Sequence, residues 1–203
     1  MVNTIEIVGV VKDAPVEIRN YGGNKLYSFK LSFKSREIDK SENLVEVRIQ
    51  GSTGGFAKIR EGRTIKVCGS LRNHINRNKK PRVVTIIYAD YVNTADRNVF
   101  LNKVELQGTL SDRVFDMTYN NSRKSFCRRN LILDLREEKS VTISLLGWGR
   151  VATRLSNLKA SSSYYKVFGR LSGHSYKYKA NGTYKTCTSV EVVIDDCFSC
   201  DML

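Results

Sequence analysis

The sequence lacks the features by which membrane proteins, secreted proteins and most enzymes are recognised. It has no apolar run near the roughly 20 residues of a membrane-spanning helix, and it opens on a strand pattern instead of a basic-then-apolar signal segment. It has no phosphate-cradling glycine loop, and its two histidines, His74 and His174, belong to no catalytic motif. The absence of these features predicts a cytoplasmic protein that contacts no membrane, is not an enzyme and binds no cofactor.

The cysteines form no disulfide or metal framework. There are five of them, an odd number, and they are scattered along the chain. Without a secretion signal, this pattern is typical of the reducing cytoplasm. Cys197 and Cys200 have the spacing of half a zinc site, but there is no second close pair to complete it. We therefore predict that the chain holds no metal.

Acidic side chains are in short supply. Lys and Arg total 34 against 20 Asp and Glu, which gives a net charge of +14. The surplus is shared, because residues 1–98 carry 18 basic and 10 acidic side chains (net +8) and the rest carry 16 and 10 (net +6). So much charge of one sign destabilises a compact state by self-repulsion. The charge balance favours a polyanionic partner, and nucleic acid is the leading candidate.

What the sequence does contain is a repetition. The opening Asn3–Val11 returns as 102–110, and Val67–Leu71 returns as 167–171, in both cases about a hundred residues later. Two widely separated matches at one period indicate a duplicated domain.

Each copy has the same order of predicted elements. The alternation of apolar and polar residues predicts five short strands, with one short helix between the third and the fourth. A long arm separates the fourth strand from the fifth, at residues 72–82 and 172–185. This order is typical of an OB-type barrel. We predict an all-β fold of two tandem five-stranded OB barrels, in residues 1–97 and 98–203.

The opening motif and the second strand resemble those of the bacterial single-stranded DNA-binding protein family, which includes a related primosomal protein of replication restart. That family opens with Asn, alternating aliphatic residues and Gly, and this pattern is matched from Asn3 and again from Asn102. Its second strand has a Phe-x-Leu-small pattern after a Gly-containing turn, which is matched by Phe29–Ser32.

Two further motifs extend the resemblance to nearly the whole chain. The third strand of that family ends in a glycine, as at Gly51 and Gly147, and its Val-x-Gly-x-Leu-Arg strand is matched by Val67–Arg72. The second copy, Val167–Ser172, lacks the final Arg. The chain departs from the family in carrying two fused barrels and in lacking both the Gly/Pro/Gln-rich tail and the usual acidic tip that recruits other replication proteins.

The first repeat is predicted to hold phosphates. Alternation places Phe29 and Leu31 toward the core and Lys30, Lys34 and Arg48 outward, while the arm is basic and has no aromatic residue. Such a charged arm either contacts phosphate groups or is a solvated face. The candidate contact residues of this repeat are Lys30, Lys34, Arg48, Arg72, Arg77, Lys79, Lys80 and Arg82.

In the second repeat, aromatic rings alternate with basic groups. Single strands bind where bases stack on aromatic faces and cationic groups follow the phosphates, and the arm places Tyr176 and Tyr178 on one face. The alternative is that these tyrosines pair across the arm and stiffen it. Phe126 lies within a second basic cluster. For Trp148, after Gly147, capping of the barrel is predicted, with base stacking as the alternative. The candidate contact residues are Arg123, Lys124, Phe126, Arg128, Arg129, Tyr176, Lys177, Tyr178, Lys179, Tyr184 and Lys185.

Together, the charge, the repeat and the resemblance predict a protein that binds single-stranded DNA without strong sequence preference, as an accessory to replication, recombination or repair. The unequal arms suggest that the second repeat stacks bases and the first holds phosphates. The resemblance further implies a nucleoid-associated location, a homodimer of four barrels paired through its first strands, and partners among replication proteins. Two alternatives stay open: an RNA-binding OB module, and a protein-interaction scaffold that has lost its nucleic-acid ligand.

Overall fold

The computed structural model describes residues 2–76, 82–119, 124–135, 139–160, 163–180 and 183–200. Over these residues the chain is built almost entirely of β-strands, with one short α-helix and one 3₁₀ turn. The elements in chain order are β1 (Asn3–Val11), β2 (Val16–Tyr21), β3 (Asn24–Phe33), β4 (Asn43–Gln50), a 3₁₀ turn (Phe56–Lys58), β5 (Thr64–Asn76), β6 (Arg82–Thr94), β7 (Asn102–Tyr119), β8 (Lys124–Leu135), β9 (Lys139–Trp148), α1 (Arg150–Asn157), β10 (Tyr164–Ala180) and β11 (Thr183–Ser199).

These elements group into two compact units, each of which contains one barrel. The first unit comprises Ile5–Asn102 together with Ser172–Val190, and the second comprises residues 103–171 and 191–200 with residues 2–4. The arm between β10 and β11 therefore belongs to the first unit, although it comes from the second sequence repeat. The repeat boundary between residues 97 and 98 stays a prediction.

The strands of the first unit close into a ring. β1 pairs with both β3 and β5, β3 pairs with β4, and β5 pairs with β6, all antiparallel. The ring is completed by a parallel pairing of β4 with β6. β2 continues the course of β1 along β3, after a break that contains Pro15, whose ring nitrogen has no N–H to donate to a strand ladder.

The second unit repeats this ring with longer strands. β7 pairs with β8 and β10, β8 pairs with β9, and β10 lies beside β11. A parallel pairing of β9 with β11 again closes the barrel. Here the first strand is unbroken, and a bulge between Leu110 and Val114 takes the place of the break between β1 and β2. The prediction of two five-stranded OB barrels is confirmed.

The repeated opening motif keeps its glycine because two strands come close at that point. A Cβ atom at Gly9 would overlap the carbonyl oxygen of Ser32, and one at Gly108 would overlap that of Ile132. In the first barrel β1 pairs with β3 at this point, and in the second barrel β7 pairs with β8. A larger residue at either position must push backbone against backbone, so glycine is required by packing.

Both cores are filled by one face of each strand. In the first barrel, Ile7, Val47 and Ile65 are fully buried, and in the second, Leu106 and Ile143 are as well. The predicted strands are confirmed in position but are longer than expected, because β5, β6, β10 and β11 extend into the arms. The short helix of the second repeat is also confirmed, whereas the first repeat has a single 3₁₀ turn in its place.

Candidate nucleic-acid interface

The structure describes the side chains of some of the predicted contact residues. Arg77, Lys79, Lys80 and Arg123 lie outside the described residues. Of eight others the backbone lies in a described strand but the side chains fall outside the description; these are Arg82, Lys124, Tyr176, Lys177, Tyr178, Lys179, Tyr184 and Lys185. The role of the arms in binding therefore stays a prediction. The candidate contact residues whose side chains are described lie on the barrel walls.

On the first barrel, cationic side chains share the outer face. Lys30 and Lys34 are exposed, and Arg48 and Arg72 are half-buried. Register places Arg48 opposite Ser28 on one side and beside Tyr88 on the other, so a half-buried tyrosine lies among the cations. This face has the two kinds of group that a single strand needs, but cations predominate.

Two of these cations already have acidic partners. The Arg48 Nε atom lies 2.7 Å from Glu46 Oε1, and the Lys30 Nζ atom lies 4.0 Å from Asp13 Oδ2. Lys34 and Arg72 make no ion pair with any described residue. These two side chains are the readiest to receive a phosphate.

A histidine on the same face is uncharged at neutral pH. Burial of the ring and, second, the positive charge of Arg48 lower the pKa of His74 below its usual value. His74 lies in β5, half-buried, two residues beyond Arg72. It can donate and accept one hydrogen bond each as a neutral ring, and it adds no charge to this surface.

The second barrel presents aromatic rings instead. Phe115 on β7, Phe126 on β8 and Trp148 at the end of β9 lie side by side, with ring centroids 6.1 Å apart for Phe115–Phe126 and 5.5 Å apart for Phe126–Trp148. The two outer rings are open to solvent, with Phe115 49% and Trp148 45% exposed. Phe126, at 9%, lies between them on a buried base formed with Leu146 and Val193. We name Phe115, Phe126 and Trp148 the aromatic face.

The aromatic face is a surface on which flat ligands can stack. Two large rings at half exposure are costly in water, because apolar area is left unburied. They are held in place by a packed base, so a ligand that covers them does not have to order them first. Nucleobases are planar and stack on such rings at about 1–3 kcal/mol each.

One arginine borders the aromatic face. Register places Arg128 opposite Phe115, and its Nη2 atom lies 3.1 Å from Glu191 Oε2. The carboxylate side chain is 9% exposed and the guanidinium 40% exposed, so the pair lies half in the protein and half in water. Arg128 therefore borders the aromatic face with its positive charge partly neutralised.

The neighbouring arginine has a structural role, which corrects the prediction that it contacts nucleic acid. Arg129 is 3% exposed, and its guanidinium donates to the carbonyl oxygens of Ser111 at 2.8 Å, Leu155 at 3.1 Å and Leu158 at 2.6 Å. Two of these carbonyls lie at the C-terminal end of α1, where helix carbonyls have no intrahelical partner. Arg129 therefore fixes the helix to the barrel, and we leave it out of the interface.

Two rings of the aromatic face, Trp148 and Phe115, are not among the predicted contact residues. For Trp148, capping was favoured over stacking; the residue is the last of β9 and shares the face of Leu146. Alternation carried one step past Gly147 gives this orientation, and that signal was available in the sequence. Phe115 was missed because the predicted first strand ended at Leu110, before the bulge.

The described residues contain no candidate for a metal site. No group of three or more His, Cys, Asp and Glu side chains comes together in this part of the chain. Burial raises the pKa of the Cys197 thiol to about 12, so it is protonated at neutral pH and is a poor metal ligand. Among the described residues no helix is both long enough and apolar enough to cross a membrane.

Comparison with solved structures identifies the fold. The chain is similar to the wild-type single-stranded DNA binding protein from Thermus aquaticus, with a TM-score of 0.75 and 18% identity over 98% of this chain and 92% of that one. A deletion mutant of the same protein gives a TM-score of 0.74 at 18% identity, over 98% and 94%. No protein-family model and no curated protein matches the sequence.

A second kind of similarity covers half of the chain. The N-terminal domain of PriB protein from Thermoanaerobacter tencongensis, described as dimeric, is 21% identical over 47% of this chain, with a TM-score of 0.39. The Thermus aquaticus likeness spans both barrels, and the resemblance drawn from the short sequence motifs is confirmed at the level of the fold.

Proposed function

We propose that this protein binds single-stranded DNA without strong sequence preference, on the outer faces of its two barrels. The observation that carries the proposal is the aromatic face, where Phe115 and Trp148 present half-exposed rings on a buried base. The Thermus aquaticus protein with the same two-barrel fold is described as a single-stranded DNA binding protein, which supports the proposal.

Binding begins with charge and is completed by stacking. A net charge of +14 attracts the strand from a distance. Cationic groups such as Lys34 and Arg72 then replace counterions along the phosphates, so affinity falls with salt by a slope of about −0.7 per phosphate contacted. Bases that reach the aromatic face stack on it, and this step depends little on which base arrives.

Two barrels in one chain strengthen binding to long strands. Once one barrel is bound, the strand is held near the other at high effective concentration. A strand that reaches both barrels is therefore expected to bind far more tightly than one that covers a single barrel. Such a protein serves as an accessory to replication, recombination or repair, in the cytoplasm with the nucleoid.

The homodimer implied by the resemblance requires free edges on the first strands. The Val8 N–H on β1 donates to Leu101 O at 2.8 Å, and the Gln107 N–H on β7 donates to Val2 O, also at 2.8 Å. Each bond uses one backbone group of a first strand, and the homodimer stays a prediction. Light scattering at micromolar concentration tests it, and a strictly monomeric mass would contradict it.

The first experiment is a titration of a fluorescent oligothymidylate of about 30 nucleotides, long enough for two OB barrels. A duplex and a matched ribo-oligonucleotide serve as competitors at several salt concentrations. Tight, salt-sensitive binding that neither competitor displaces is the expected result. Equal displacement by the ribo-oligonucleotide would indicate an RNA-binding module, and equal displacement by duplex would indicate charge attraction alone. No binding at moderate salt would favour the protein-interaction scaffold.

A further inference from the structure

An open cleft of about 570 Å³ lies on the first unit, and its lining residues Gly62, Thr64 and Arg97 also line the neighbouring cavity that contains Lys34. It is lined by the turn that precedes β5 and by the segment that follows β6. Three arginines contribute to it: Arg60 and Arg63 from the turn, and Arg97 from the segment. All three are exposed. We name this feature the arginine cleft.

The backbone that carries these arginines is held in place by hydrogen bonds. In the turn, the Arg63 N–H donates to Arg60 O at 3.1 Å, and the Gly62 N–H donates to Val11 O at 2.8 Å. The Val11 N–H returns a bond to Arg63 O at 3.0 Å, which ties both sides of the turn to the end of β1. These bonds fix the turn to a barrel strand, so the backbone positions of Arg60 and Arg63 beside the cleft are fixed as well.

The segment after β6 is held in a similar way. The Ala95 N–H donates to Thr64 O at 3.2 Å, which joins the segment to the start of β5. One turn further on, the Asn98 N–H donates to Asp96 Oδ1 at 3.0 Å and the Val99 N–H donates to Asp96 O at 3.2 Å. Arg97 lies within that turn, so the third arginine is brought to the first two by fixed backbone.

Positive charge exceeds negative charge in the arginine cleft, although Arg97 also lines the neighbouring cavity together with Glu37 and Glu42. None of Arg60, Arg63 and Arg97 makes an ion pair with a described residue, and Glu61 is the one acidic residue among those that line the cleft. Three guanidinium groups on one small surface repel each other unless an anion lies between them. Arginine is also the side chain best shaped to hold phosphate oxygens, because its donors form a planar fork.

We propose that the arginine cleft binds the phosphates of a single strand that continues past the proposed binding faces. The inference rests on the proposed function and adds a second contact to it. Thr64 in the cleft and Arg72 on the outer face lie eight residues apart on β5, which corresponds to about 26 Å of extended strand. A strand held at both points is wrapped around the first barrel and is longer than the strand that the outer face alone can cover.

The test compares three proteins on two probes. The triple variant R60A/R63A/R97A removes the charges of the cleft, and K25A/R36A/R154A removes the same charge from side chains that have carboxylate partners at 3.2, 2.8 and 2.8 Å. One probe is an oligothymidylate of about 12 nucleotides, near the site size of one OB fold. The other carries the same 12 nucleotides followed by about 25 abasic sugar-phosphate units, which provide phosphates without bases to stack.

The wild type is expected to bind the extended probe more tightly than the short one, because the abasic units reach the arginine cleft. The cleft variant is expected to lose about tenfold or more on the extended probe at low salt, with a salt slope smaller by about 2 for three lost phosphate contacts. Its affinity for the short probe and its thermal midpoint are expected to match those of the control variant.

Three results would overturn the inference. If the abasic extension adds no affinity to the wild type, the strand does not reach the cleft. If the cleft and control variants lose equally on both probes, the effect is one of net charge. If the wild type binds neither probe, the proposed function itself fails, and this outcome is distinct from the other two because in those the short probe is bound.

Discussion

Replacing Trp148 by alanine tests the aromatic face directly. Trp148 is the one tryptophan in the sequence, so its intrinsic fluorescence reports on this position alone. If one base stacks on it, the loss is about 1–3 kcal/mol, or roughly 5- to 150-fold in affinity for an oligothymidylate. The ring is already 45% exposed, so its removal is expected to cost the fold less than the 3–5 kcal/mol typical of a buried aromatic ring.

The assay is a titration with the oligothymidylate, followed both by tryptophan fluorescence and by a label on the DNA. The wild type is expected to show strong quenching that saturates together with the label signal. Ile38→Ala is the control, because Ile38 is 80% exposed and lies in the loop between β3 and β4 of the first unit, outside the barrel strands. The reasoning is refuted if the label reports binding while Trp148 fluorescence stays unchanged, or if Trp148→Ala and Ile38→Ala weaken binding equally.

Three further changes separate structural from binding roles. Arg129→Met is expected to lower the free energy of unfolding by about 2–4 kcal/mol, because buried carbonyls lose their donor; denaturant unfolding measures this, and unchanged DNA affinity of the folded protein completes the expectation. Glu191→Gln is expected to raise DNA affinity by about two- to tenfold, because Arg128 then faces phosphate without a competing carboxylate; titration at fixed salt that shows weaker binding would contradict it. Gly108→Ala is expected to destabilise the protein by more than about 2 kcal/mol through backbone overlap, and a thermal midpoint equal to the wild type would show that the strands can separate there.

The barrels could be predicted because their core strands alternate apolar and polar residues. Phe29, Leu31 and Phe33 alternate with polar residues, and all three are buried. β2 was not predicted, although Val16 and Ile18 alternate with polar residues; they are 63% and 43% exposed, so this short alternation marks no core face. A strand that pairs along one side and packs against little leaves a weak trace in the sequence.

The interface was harder to predict because charge alone does not say which way a side chain points. Arg129 and Arg128 are neighbours in a basic cluster, yet one is inside the barrel and the other at the surface. Arg129 is in phase with Leu131 and Leu133, which are fully buried. Once the register of β8 is known, the alternation it shares with these two leucines places Arg129 on the core side. The arginine cleft had no local signal at all, since its residues come from two turns that only the fold brings together.

The two barrels differ in a way that bears on how one strand is shared between them. Alongside Tyr88, the described outer face of the first barrel offers cations, with Lys34 and Arg72 free of described ion pairs, and that of the second offers Phe115 and Trp148. Phosphate contacts weaken with salt whereas stacking does not. For the proposed DNA binding, both barrels are therefore expected to contribute to affinity at low salt, and the second barrel is expected to carry most of the affinity that remains at high salt. A duplicated chain of this kind would capture a strand through charge and retain it through stacking when ionic strength rises.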